Sequence, residues 1–150
     1  MRKQVLSIKQ MEYLRKLGLD TSDASMNWQY FHTSYLVANT LGDGLNKEPV
    51  LCMSKTGVNY EYPAYTLQDI LYKLPNSIYS SANKKRYYLT IQSNIRISYS
   101  VHYSCENQWL IMFEGNYDSL IDTAYKMLCW AIENKCYETR SRQQSAGLLL

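Results

Sequence analysis

His102, Cys105 and Glu106 lie within one short stretch, and imidazole, thiol and carboxylate are the groups from which a base, a nucleophile and an orienting acid are made. A working triad also needs the base within hydrogen-bond reach of the thiol and a pair of donors for the oxyanion. No glycine-rich elbow surrounds Cys105, and the only other histidine is His32, so the spacing predicts a wet strand end with a partly exposed thiol and no catalytic residue. A structural zinc site takes four soft ligands as two close pairs. His102 and Cys105 supply one such pair, but Cys129 and Cys136 stand seven apart, and Cys129 falls in an apolar helical stretch where a free thiol packs as a small hydrophobe. No metal and no cofactor are therefore expected, and metal analysis of the purified protein should find no stoichiometric zinc. The six glycines form neither a dinucleotide fingerprint nor a phosphate loop. Glu12, Asp69, Asp118 and Asp122 lie on or near helices, where carboxylates cap and solvate.

The sharpest binding pattern is Lys84-Lys85-Arg86 leading into Tyr87-Tyr88, with Arg96 on the segment that follows. A hairpin turning at Gln92-Ser93-Asn94 places Tyr88, Arg96 and Ser98 on one polar face. Lys84, Lys85, Arg86 and Arg96 would hold phosphate there, and Tyr88 would stack a base. The plainer reading is a basic turn that keeps a sheet edge soluble. A formal net charge of +3 is a small field for nucleic acid, which favours the plainer reading.

Those residues must be carried by secondary structure, and its signals are legible in places. Ser7 is an N-cap, Ile8, Met11, Leu14 and Leu17 recur at helical spacing, and Gly18 supplies a left-handed stop. Asp20 to Asp23 read as a loop. Between Ala24 and Met53, Met26, Trp28 and Tyr30 alternate with polar residues, Ser34–Ala38 and Val50–Met53 are short apolar runs, and Gly42-Asp43-Gly44 marks a turn. Strands are the preferred reading, with a helix over residues 25–38 as the alternative. Lys55 to Pro63 reads as an exposed loop. Thr66 caps a short helix whose stripe is Leu67, Ile70, Leu71 and Leu74, ended by Pro75. Tyr87, Leu89 and Ile91, then Ile95, Ile97, Tyr99, Val101 and Tyr103, alternate with polar residues, and Trp109–Glu114 follows a second turn. These read as a three-stranded antiparallel meander with one buried and one wet face. A long helix over residues 118–134 carries Leu120, Ile121, Ala124, Tyr125, Leu128, Ala131 and Ile132 as its apolar stripe.

Two stretches, Pro63-Ala64-Tyr65-Thr66-Leu67-Gln68-Asp69-Ile70-Leu71-Tyr72-Lys73-Leu74-Pro75 and Leu120-Ile121-Asp122 through Met127-Leu128-Cys129-Trp130-Ala131-Ile132-Glu133-Asn134, resemble small uncharacterised proteins carried by phages and mobile elements of gut anaerobic bacteria. The resemblance implies a bacterial, intracellular setting. Both stretches are helix patterns, so no activity or functional residue comes with it.

The expected fold is α+β: an antiparallel sheet with helices packed on one face, a single domain over residues 1–138 and a flexible tail over 139–150. The strongly apolar run Trp109–Phe113 is too short to cross a bilayer. Four scattered cysteines without a secretion signal read as reduced thiols in the cytoplasm. Fifteen tyrosines against two phenylalanines, with three tryptophans, put aromatic surface outside the core. The expected function is a non-enzymatic accessory protein that binds another protein or itself, with no membrane partner. Weak nucleic-acid binding through the hairpin of residues 84–98 is the alternative.

Overall fold

A computed structural model of the chain describes residues 3–29, 50–52, 61–94, 98–116 and 120–136. It has an α+β architecture with antiparallel sheets, and the chain divides into two compact units: Val5–Thr66, and Leu67–Leu150 together with Met1–Gln4.

In the first unit, helix α1 (Ile8–Lys16) begins as its sequence requires. Gln10 N–H donates to the Ser7 hydroxyl and Ser7 N–H donates to the Gln10 side chain, a reciprocal capping box. Met11 and Leu14 are its buried stripe. The helix closes through Gly18 at φ +94°, with Gly18 N–H donating to Arg15 and Leu19 N–H to Leu14, so a residue without Cβ is favoured there. Strands β1 (Met26–Gln29), β2 (Val50–Cys52) and β3 (Glu61–Ala64) form an antiparallel sheet in the order β2-β1-β3. Part of the stretch read as an exposed loop is thus a strand: Glu61, Tyr62 and Pro63 pair with Gln29, Trp28 and Asn27. The burial within β1 is the reverse of the hydrophobic alternation. Asn27 and Gln29 are buried, whereas Met26 and Trp28 are half-buried. Trp28 is held at that boundary because its indole N–H reaches the Leu6 carbonyl at 2.9 Å. Tyr65 is fully buried, and its hydroxyl lies 2.8 Å from a carboxylate oxygen of Asp23 and 3.0 Å from the Asp20 carbonyl, which ties down the Asp20–Asp23 loop.

The second unit starts with α2 (Leu67–Lys73), which buries Ile70 and stops before Pro75. Strands β4 (Ser77–Ser80), β5 (Lys85–Asn94), β6 (Ser98–Cys105) and β7 (Gln108–Asn116) follow in sequential order as an antiparallel meander, and α3 (Leu120–Glu133) closes the described chain. The meander has four strands rather than three, because Ser77–Ser80 pairs with Lys85–Tyr88. So short a strand carries too little pattern to be read alone.

Two expectations about this sheet are corrected. Gln92, Ser93 and Asn94 are strand residues paired with Ser100, Tyr99 and Ser98, not a turn. The polar Gln92-Ser93-Asn94 triplet interrupts the hydrophobic alternation, but main-chain pairing with β6 outweighs its turn propensity. The face carrying Ser100 and His102 is also not simply wet, since each of those side chains is only 3% exposed. Both lie on β6, an inner strand flanked by β5 and β7, where neighbouring side chains cover even short polar groups.

The opposite face holds Tyr87, Val101 and Tyr103, all buried, and α3 packs against β6 and β7 on that side. The Tyr103 and Trp130 rings meet with centroids 6.4 Å apart. The buried residues of α3 are Ile121, Thr123, Ala124, Met127, Leu128 and Ala131, so Thr123 and Met127 join the expected stripe. Lys3 and Asp122 form an ion pair at the helix start. The readings for Ser34–Ala38, Gly42–Gly44, Ile95–Ile97, Asp118 and residues 139–150 lie outside the described residues.

Candidate functional site

Strand register decides which side chains share a face. Counting outward from β6, the face opposite α3 carries Ser77 and Tyr79 on β4, Arg86, Tyr88, Thr90 and Gln92 on β5, and Ser100, His102 and Ser104 on β6. On β7 it carries Trp109, Met112 and Glu114. A bulge at the Tyr103/Ser104 step makes this possible, since Tyr103 pairs with Ile111 and Ser104 with Trp109. Leu110 is the extra residue; by strict alternation, without the bulge, Trp109 would lie on the other face.

Three large rings stand out from this face. Tyr79 is 57% exposed, Tyr88 is 55% and Trp109 is 61%. Ser77, Tyr88, Ser104 and Trp109 form one row across the four strands, so the Tyr88 and Trp109 side chains rise about 10 Å apart with only Ser104 between them. Tyr79 is the diagonal neighbour of Tyr88, through the Tyr79–Arg86 pair. The floor beside this row is polar and satisfied. The Thr90 and Ser104 hydroxyls are 3.4 Å apart, and the Ser100 hydroxyl is 3.4 Å from His102 Nδ1. The His102 ring meets Trp109 edge-on at 6.4 Å. Burial holds the His102 imidazole below its ordinary pKa, which favours its neutral form.

The basic cluster is only partly assembled around that row. Arg86 is exposed on the same face as Tyr88, and one of its guanidinium nitrogens donates to the Ser77 hydroxyl at 2.8 Å. Lys84 is exposed in the β4–β5 turn with φ +53°. Lys85 alternates to the other side and turns to the β6–β7 connection, where Nζ is 3.3 Å from Gln108 Oε1 and 3.7 Å from a Glu106 carboxylate oxygen. Arg96 lies outside the described residues. Ser98, expected on one face with Tyr88, does alternate onto that face two residues before Ser100, but it pairs with Asn94, six residues and about 20 Å along the strand from Tyr88. Tyr88 pairs instead with Ser104.

The possible catalytic trio does not converge. His102 points to the aromatic face, Cys105 alternates to the other side opposite Gln108, and Glu106 sits in the turn at φ +46° with its carboxylate near Lys85. Among the described residues no three His, Cys, Asp or Glu side chains are grouped as metal ligands. The Cys129 and Cys136 thiols are held above their ordinary pKa by burial, which suppresses the thiolate. No described helix is long and apolar enough to cross a membrane.

Tyr79 and Trp109 are the members of this face that motif reasoning misses. Trp109 opens the apolar run Trp109–Phe113, so hydropathy assigns it to the core, and only the bulge re-aims it. No family model, curated protein or solved structure matches the chain.

Proposed function

We propose that this protein is a non-enzymatic interaction module that binds a protein partner through the aromatic face of its four-stranded sheet. The observation that carries this reading is the exposed row of Tyr79, Tyr88 and Trp109 beside Arg86, on a hydrogen-bonded sheet that orders the rings before binding. Tyr, Trp and Arg are the residue types that dominate protein interfaces. Each ring brings roughly 150–250 Å² of amphipathic surface at little entropic cost.

Single-stranded nucleic acid is the second reading, and exposed Lys84 and Arg86 beside the rings favour it. Local charge weighs against it. Glu106 partly neutralises Lys85, and Glu114 stands on the same face.

The test is site-specific photocrosslinking in cells that express the protein, with benzoylphenylalanine in place of Tyr88 and, as a control, of exposed Tyr72 on α2. A nuclease-resistant protein adduct at position 88, absent at 72 and lost when Trp109→Ala is added, is the expected result. Equal labelling at both positions contradicts the reading. A nuclease-sensitive adduct transfers the face to the second reading. In that case a fluorescent single strand should bind in a steeply salt-dependent way. Tyr88→Ala should then cost about 1–3 kcal/mol, the worth of one stacked base. Replacing Lys84 and Lys85 should flatten the salt slope without changing sequence preference.

A further inference from the structure

We propose that β7 is an assembly edge along which two copies of this chain pair antiparallel, joining their four-stranded sheets into one. β7 is the last strand of the order β4-β5-β6-β7, so one side of its main chain pairs with β6 and, among the described residues, no strand pairs with the other. Long edge strands of this kind template further pairing unless charge, proline, a β-bulge or shortness blunts them, and the bulge of β7 is confined to its start, at Leu110. The two edges of this sheet differ in that respect. β4 has four residues and is followed by the Lys84-Lys85-Arg86 run. β7 has nine residues, QWLIMFEGN, with no lysine, arginine or proline. It also contains the apolar run Trp109-Leu110-Ile111-Met112-Phe113, and none of those five side chains is buried. An exposed tryptophan followed by four half-covered apolar residues at a sheet margin is the pattern of an incomplete interface.

A second copy fits this edge on charge. Glu114 is the only formal charge on the strand. Antiparallel pairing centred on Met112 sets Ile111 of one copy opposite Phe113 of the other and Met112 opposite itself. Each Glu114 then faces position 110 of the other copy. The two carboxylates are about 13 Å apart along the ladder, beyond the range at which exposed charges repel strongly in salt. The two-fold relation makes the contact self-closing, so it gives a dimer rather than a filament.

The experiment is sedimentation of the full chain from about 10 to about 200 µM, together with amide exchange at both ends of that range. The expected result is a mass rising from 17.6 kDa toward twice that value, with exchange in residues 108–116 slowing as the dimer fills. Met112→Lys sets two ammonium groups opposite each other and should weaken the dimer at least about tenfold, whereas Met112→Leu should retain it. If Met112→Lys fails to fold, the concentration dependence of exchange in the unmodified chain decides. A chain that stays monomeric throughout overturns the proposal. So does a dimer in which exchange of residues 108–116 is independent of concentration, or one that folded Met112→Lys leaves intact.

Discussion

Leu128→Ala is expected to cost about 2–5 kcal/mol of unfolding free energy. Leu128 is fully buried in the middle of α3, and Ala124 and Ala131, one turn to either side, are fully buried too. Small side chains on both flanks have nothing to extend into the vacated volume, so the cavity is poorly refilled and the cost falls toward the upper part of that range. With a urea slope of about 1–3 kcal/mol per molar for a domain of this size, the unfolding midpoint should fall by a molar or more. Leu128→Met, which conserves volume, should cost less than about 1.5 kcal/mol. A loss below about 1 kcal/mol for the alanine variant would mean that α3 does not carry the core of its unit.

Tyr103→Ala is expected to cost about 3–5 kcal/mol, and Tyr103→Phe about 1–3 kcal/mol. The ring is fully buried against Trp130, and its hydroxyl donates to the Pro75 carbonyl at 2.7 Å. Phenylalanine keeps the packing but leaves that buried carbonyl without its donor. The same environment sets a pH signature. Burial first, and the neighbouring Cys136 thiol second, push the Tyr103 phenol well above its ordinary pKa of about 10. The folded state thus favours the neutral phenol more strongly than the unfolded state does. That contribution is complete below about pH 10 and is lost as pH rises through the folded-state value. The stability difference between the parent and Tyr103→Phe, measured by urea unfolding from about pH 8 upward, should therefore shrink at alkaline pH. A difference that grows with pH would contradict a buried, neutral Tyr103.

The two substitutions also mark where sequence reasoning was enough. α1 was legible because its signals are local. Ser7 and Gln10 satisfy each other, Gly18 stops the helix, and the stripe of Met11 and Leu14 needs no distant partner to be recognised. α3 was legible for the same reason, and Leu128 belongs to its stripe at any register. Tyr103 was placed on the inward face by alternation alone, but its bond to Pro75 spans 28 residues and has no local sign.

The binding face shows the other side. Lys84, Arg86 and Tyr88 were found as a basic aromatic segment, and the structure describes all three as exposed. The residue opposite Tyr88 is not legible in the sequence, because a hairpin turn at Gln92–Asn94 puts different residues opposite Tyr88 than the pairing with Ser104 does. Register depends on which hydrophobic rows meet across strands, and a strand's own alternation cannot reveal where its partner begins. The burial of Asn27 and Gln29 in β1, of Ser100 and His102 in β6, and the turning-out of Trp109 at a single-residue bulge have the same origin. Helix positions and the inward facing of Tyr87, Val101 and Tyr103 follow from the residues and their spacing, since each rests on patterns within a few residues, whereas Ile91 of the same stripe is 40% exposed. The row of Tyr79, Tyr88 and Trp109, and the apolar run left at the β7 edge, were decided by tertiary structure alone, because each joins residues through strand pairing.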